Sequence, residues 1–173
     1  MMGDVSPARA VLPSPRYNGS MSTDKTASLP LAGVSAPSDG PRLSDIYEAV
    51  GGDANGGPEA FEALTDAFYA GVEGDPTLRP LYPADLTEAK ENLALFLMQF
   101  FGGPTLYAEK RGHPRLRMRH VPFAIGEAER DAWLRHMNTA LEVVPAFAPF
   151  ADLMRAYFTQ AAHFLQNRAT ATG

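Results

Sequence analysis

The sequence predicts an all-α protein built on about four long helices. Apolar residues recur at three- and four-residue intervals over most of the chain beyond Leu43. No stretch alternates β-branched and polar residues as a half-buried strand does. The chain has 173 residues, 45% hydrophobic and 20% charged, enough apolar material for one sizeable core.

Residues 1–42 stand apart, with six prolines, seven serines and a single aromatic, Tyr17. Such a stretch has too little apolar surface to offset the entropy of ordering it. The expected organisation is therefore a disordered extension over 1–42, one helical domain over 43–168 and a frayed terminus over 169–173. Asp4, Pro13 and Pro15 interrupt the apolar run a signal peptide needs, and Met21 reads as an alternative start.

Within the domain, Ser44 is expected to cap a short helix through Val50, stopped by Gly51 and Gly52. Pro58 suits the first turn of the next helix, whose stripe is Phe61, Leu64, Phe68 and Val72 with Tyr69 beside it. Gly74-Asp75-Pro76 ends it. Thr87 is expected to cap a third helix bearing Ala89, Leu93, Phe96, Leu97 and Phe100, closed by Gly102-Gly103-Pro104. From Thr105 to Val121, Gly112 and Pro114 lie among many charges, which predicts mostly loop with one short helix. Beyond Pro122, Trp133, Leu134, Met137, Ala140, Leu141 and Val144 form a strong stripe. The last helix carries Phe150, Leu153, Met154, Tyr157, Ala161, Phe164 and Leu165.

Composition excludes several functions. Fifteen Lys and Arg against 20 Asp and Glu give a net charge of −5, against the basic excess of a dedicated nucleic-acid binder. Zero cysteines exclude disulfides, thiolate zinc sites, iron–sulfur clusters and cysteine nucleophiles, and fit a cytoplasmic setting. No run of about 18 apolar residues predicts a membrane span.

The link from Gly102 to Gly126 is long for a helix connection. It holds Lys110, Arg111, Arg115, Arg117 and Arg119, five of the chain's 15 cations, and two of its four histidines, His113 and His120. A solvated loop explains such a run, and so does an anionic partner. Between Lys110 and His120 there is no aromatic residue for base stacking. The other histidines are His136 and His163, and no two of the four share the i, i+4 spacing of a helical zinc pair. A single histidine on a short segment, facing aromatics between helices, is one way to hold haem iron, although a lone histidine is more often a surface or satisfied core residue.

The segment Tyr107-Ala-Glu-Lys-Arg-Gly-His-Pro-Arg-Leu-Arg-Met-Arg-His120-Val-Pro-Phe123, followed by Glu129-Arg-Asp-Ala-Trp133-Leu, resembles the group II truncated haemoglobins. Phe96-Leu-Met-Gln-Phe-Phe-Gly-Gly-Pro104, Ala67-Phe-Tyr69 and Pro80-Leu-Tyr82-Pro83 match the same family in order and spacing. The resemblance runs from about Leu43 to about Asn167. It implies a truncated globin fold, a two-on-two helical sandwich around haem b (iron protoporphyrin IX). His120 corresponds to the proximal iron ligand, and Tyr69, Tyr82 and Trp133 to distal hydrogen-bonding residues. Ala89 corresponds to the distal entrance and Leu93 to a position above the haem. Phe96, Leu97, Phe100, Met118, Phe123 and Met137 are expected in the apolar envelope, with Arg119 and Tyr107 as propionate partners. Asn92 stands where many relatives carry a basic residue.

Three functions follow. The first is a haemoglobin that binds dioxygen and other diatomic gases, as a carrier or binding protein. The second is a haem redox enzyme that consumes nitric oxide or peroxide with an external reductase, since no flavin or nicotinamide motif is present. The third is a helical interaction module whose aromatics are only core. The first two expect no nucleic acid, no membrane span, and a monomer or homodimer.

Overall fold

The computed structural model describes residues 40–169. Most of the expected 1–42 extension and all but Ala169 of the expected 169–173 terminus therefore lie outside the described residues. Seven helices follow in order: α1 (Ile46–Ala49), α2 (Gly57–Gly74), α3 (Thr87–Phe100), α4 (Leu106–Arg111), α5 (Leu116–His120), α6 (Glu127–Val143) and α7 (Ala151–Leu165). Short 3-10 turns at Leu43–Asp45, Arg79–Leu81 and Pro145–Phe150 link them, and no strand occurs among the described residues. The four long helices are α2, α3, α6 and α7. They pair two over two: α2 packs on α3 and α6, and α6 packs on α7.

The helix starts differ in detail from expectation. Ser44 caps nothing; its hydroxyl bonds the neighbouring Asp45 carboxylate, while Asp45 accepts the Arg42 amide at 3.3 Å. Thr87 is the first residue of α3 rather than its cap, and Asp85 accepts its amide at 2.9 Å. Both cases reflect the same competition: a short Asp side chain reaches an orphan amide as well as a Ser or Thr does. Between α3 and α6 there are two short helices, where one was expected, separated by Gly112 and by Arg115 in the left-handed region at φ 39°.

The core is aromatic. Phe61, Phe68, Phe101, Phe147 and Phe158 are fully buried, with Ile46, Leu64, Leu97 and Leu141 between them. Phe61 stacks on Tyr47 and Phe101 and meets Phe147 edge-on at 5.0 Å. These contacts join α1, α2 and the 3-10 turn before α7 into one body.

The crossing of α2 and α6 is set by one glycine. A Cβ on Gly71 would lie 2.3 Å from His136 Nδ1, so only a residue without a side chain permits this approach. His136 cannot swing away freely, because its Nε2 bonds the buried Asp75 carboxylate at 2.7 Å. That His136 hydrogen bond holds the Asp75 carboxyl well below the usual carboxylate range, helped by the Thr77 and Leu78 amides and Arg135 against the opposing cost of burial. Gly71→Ala is expected to destabilise the fold by about 1–3 kcal/mol through overpacking, lowering the melting temperature. An unchanged melting temperature would show that α2 and α6 have room to part. The crossing matters for function because Tyr69 lies two residues before Gly71 and Trp133 three before His136.

Candidate functional site

The four long helices and the α4–α5 link enclose a cavity of about 380 Å³, a size suited to a small organic ligand or cofactor. Its wall is mostly apolar. Leu78 and Leu81 come from the region after α2, Ala89, Leu93, Phe96 and Leu97 from α3, and Phe158, Ala161, Ala162 and Leu165 from α7. Polar groups are few: Tyr69, Tyr82, Trp133, Tyr107, Tyr157, Asn92, His120 and the charged Arg111, Arg119, Glu129 and Arg130.

His120 is the C-terminal residue of α5. Its Nδ1 lies 2.6 Å from the carbonyl of Leu116, one turn back along the same helix. The carbonyl can only accept, so Nδ1 carries the proton and donates, and Nε2 is left with a lone pair. Burial pushes the His120 ring below its ordinary pKa, against the Leu116 hydrogen bond, so the neutral form prevails at neutral pH. A neutral imidazole with one nitrogen fixed by a carbonyl is the form in which histidine binds a metal ion. His120 is the one histidine on the cavity wall. Among the described residues no group of three or more His, Asp or Glu is placed to hold a metal ion by itself.

The three aromatic donors come together. Tyr69, buried on α2, meets Tyr82 edge-on at 5.5 Å, and Phe68 beside it contacts Trp133 at 5.4 Å. Burial raises the Tyr69 hydroxyl far above its ordinary range, with repulsion from a charged Tyr82 adding to it. Burial also pushes Tyr82 up to about 12, and a hydrogen bond with Trp133 pulls it partly back. The indole N–H can only donate, so Tyr82 accepts. All three side chains therefore remain neutral donors across the physiological pH range.

Most of the residues expected in the envelope line the cavity: Ala89, Leu93, Phe96, Leu97, Tyr107, Arg119 and Phe123. Two methionines and one phenylalanine do not. Met118 is 62% exposed, because α5 turns that face outward. Met137 is fully buried in the core and absent from the cavity wall. Phe100 is also off the wall, stacked at 4.1 Å on Tyr157, which itself lines the cavity. Tyr157, Phe158, Ala161, Ala162 and Leu165 form the α7 wall; Tyr157, Ala161 and Leu165 belong to the apolar stripe expected of this helix, and Phe158 and Ala162 lie beside it. No signal separates them in sequence, since a cavity-facing stripe and a core-facing stripe have the same period.

Charge at the wall is arranged by the link. The Arg119 guanidinium donates to the carbonyls of Pro114 at 2.8 Å and Arg111 at 2.7 Å, which fixes it and folds the link beneath the cavity. Arg111 pairs with the exposed Glu88 of α3 at 3.0 Å. Asn92 on α3 gives its amide to the same Glu88, but its carbonyl oxygen is buried without a partner. An apolar cavity with one fixed imidazole, the neutral donors Tyr69, Tyr82 and Trp133, and the guanidiniums of Arg111, Arg119 and Arg130 fits a flat, largely apolar group bearing carboxylates, held through an axial metal. Haem matches that description.

Comparison with known proteins agrees. The bacterial-like globin family model matches residues 45–167. A group 2 truncated haemoglobin of Bacillus subtilis is 45% identical over 98 residues, which cover 57% of this chain and 70% of that protein. The chain belongs to the group II truncated haemoglobins. Among solved structures, this globin is similar to the haemoglobin of Chloroflexus aurantiacus, with 54% identity, a TM-score of 0.66, and coverage of 71% of this chain and 98% of that one. The group II truncated haemoglobin of Bacillus anthracis is 36% identical with a TM-score of 0.67, covering 74% of this chain and 95% of that one. As a globin of this family it binds haem and gaseous ligands such as oxygen. No helix among its described residues is long and apolar enough to cross a membrane.

Proposed function

We propose that this globin holds haem b with His120 as the axial ligand and binds dioxygen and other diatomic gases beside Tyr69, Tyr82 and Trp133. The observation that carries the reading is the 2.6 Å contact from His120 Nδ1 to the Leu116 carbonyl, within a cavity that also receives all three donors. Bound haem supplies an iron with one coordination position open to a diatomic gas. The protein supplies the rest. His120 presents Nε2 because its other nitrogen is occupied. Arg119, Tyr107 and Arg111 supply cations and a hydroxyl for the haem carboxylates. Leu93, Phe96, Leu97 and Phe158 exclude water, which strengthens any hydrogen bond made inside.

Three neutral donors act on one small ligand. Tyr69 and Tyr82 can rotate their hydroxyls, whereas the Trp133 N–H is held by ring packing against Phe68 and Phe158. Such donors slow the release of a ligand that carries partial negative charge and leave a weakly polarised one unaffected. Retention of this kind also favours redox consumption of nitric oxide or peroxide in the cytoplasm with an external reductase. Stopped-flow release of oxygen and carbon monoxide, in this globin and in single variants of the three donors, tests the reading. Slow oxygen release that quickens on losing a donor supports it. Turnover of nitric oxide or peroxide with a reductant decides between storage and catalysis.

A further inference from the structure

The function described so far leaves the basic link unexplained. Between Leu106 and Ala124 there are five cations, Lys110, Arg111, Arg115, Arg117 and Arg119, against one carboxylate, Glu109, in a chain of net charge −5. Lys110 and Arg111 pair with Glu91 and Glu88 of α3. Arg117 lies over the Phe164 ring at 5.4 Å, so its charge is not cancelled by a carboxylate. In the same segment Met118, Val121 and Phe123 are exposed by 62%, 69% and 41%. They are three of the five large hydrophobic residues found exposed among the described ones, gathered within six positions.

This face is the outside of the cavity wall. Phe123 is exposed on one side, lines the cavity on the other, and its ring lies 6.5 Å from that of His120. A protein seated here comes within one side-chain layer of the axial histidine.

We propose that the face formed by Arg117, Met118, Val121 and Phe123 docks an acidic electron-transfer protein, a flavodoxin-like or ferredoxin-like donor, which reduces the site through its proximal edge. The proposal rests on the haem reading above. One electron leaves the reduced donor and one enters the ferric centre, with no proton or atom transferred. Exposed Met, Val and Phe side chains beside an uncancelled arginine suit a small, transient protein interface. Complementary charge on the donor steers its approach. Nucleic acid fits less well, because Phe123 is the single aromatic between Ala108 and Ala132. A membrane surface fits less well too, because α5 has five residues and Pro122 follows it, too short for an interfacial helix.

The test uses the full haem-loaded chain and reduced flavodoxin as the probe, with Arg117→Glu and Val121→Ser as variants. Reduction of the ferric protein by flavodoxin is expected to slow steeply with added salt. At low ionic strength it is expected to fall by roughly tenfold in Arg117→Glu. Flavodoxin titrated into isotope-labelled protein is expected to shift amides of residues 116–124 in the parent and not in the variants. Reduction by dithionite, which needs no docking, and the absorption spectrum are expected to stay the same in all three proteins. Flavodoxin rates that ignore both salt and Arg117→Glu would overturn the proposal. So would binding of duplex DNA or phosphatidylglycerol vesicles, lost in the same variants, with no response to flavodoxin. A parent protein without a haem spectrum would instead overturn the haem reading, leaving the two failures distinct.

Discussion

His120→Ala is expected to abolish stable haem uptake, whereas alanine at His113, His136 or His163 largely retains it. The structure gives each histidine a different situation. His120 is on the cavity wall with one nitrogen fixed by Leu116. His113 is exposed and accepts the Arg115 amide at 3.3 Å. His136 bonds Asp75 at the α2–α6 crossing, and His163 is exposed near the end of α7. His136→Ala removes the partner of a buried carboxylate and lowers stability, so haem content is read per folded chain. Haemin titration followed by absorption measures it. An unchanged ferrous spectrum in His120→Ala would refute the axial assignment.

The second large effect is on oxygen release. Tyr69→Phe and Tyr82→Phe each remove one hydroxyl at nearly constant volume, and Trp133→Phe removes an N–H while keeping a ring. A hydrogen bond to a partly charged acceptor contributes about 1.4 kcal/mol, so losing one speeds oxygen release by roughly tenfold. Carbon monoxide carries much less charge and its release changes far less. Trp133→Phe is expected to be the largest, because the indole is held between Phe68 and Phe158 and its N–H cannot rotate away as a hydroxyl can. The three effects do not add, because donors on one ligand share a network and a remaining one can reorient. Equal changes for both gases would indicate steric access, and no change for either would return these residues to a packing role.

Much of this architecture is legible in the residues. The stripes of Phe61, Leu64, Phe68 and Val72, of Leu93, Phe96 and Leu97, and of Met137, Ala140 and Leu141 repeat over enough turns to specify α2, α3 and α6. By contrast α4 and α5 have six and five residues, too few for a period to emerge. Their positions depend on a left-handed Arg115 and on Arg119 bonding backbone carbonyls eight and five residues away. None of this leaves a trace in hydrophobic pattern.

The site divides the same way. Likeness to a family points to His120, Tyr69, Tyr82 and Trp133, and the structure puts all four on one cavity. The same likeness sets Met118 and Met137 beside them, and an apolar side chain near a motif does not by itself tell whether it meets solvent, core or a ligand. Tyr157 and Arg111 show the converse. Tyr157 reads as one more core aromatic, and Arg111 as one more charge in a loop, until the chain folds around the cavity.

The most direct test of the account is the absorption spectrum of the purified full chain mixed with haemin, in the ferric, ferrous and carbon monoxide forms. The account predicts a Soret band that saturates at one haem per chain, and ferrous and carbonyl spectra of a histidine-ligated haem. A chain that stays folded but takes up no haem, or binds it without a histidine-ligated spectrum, would contradict it.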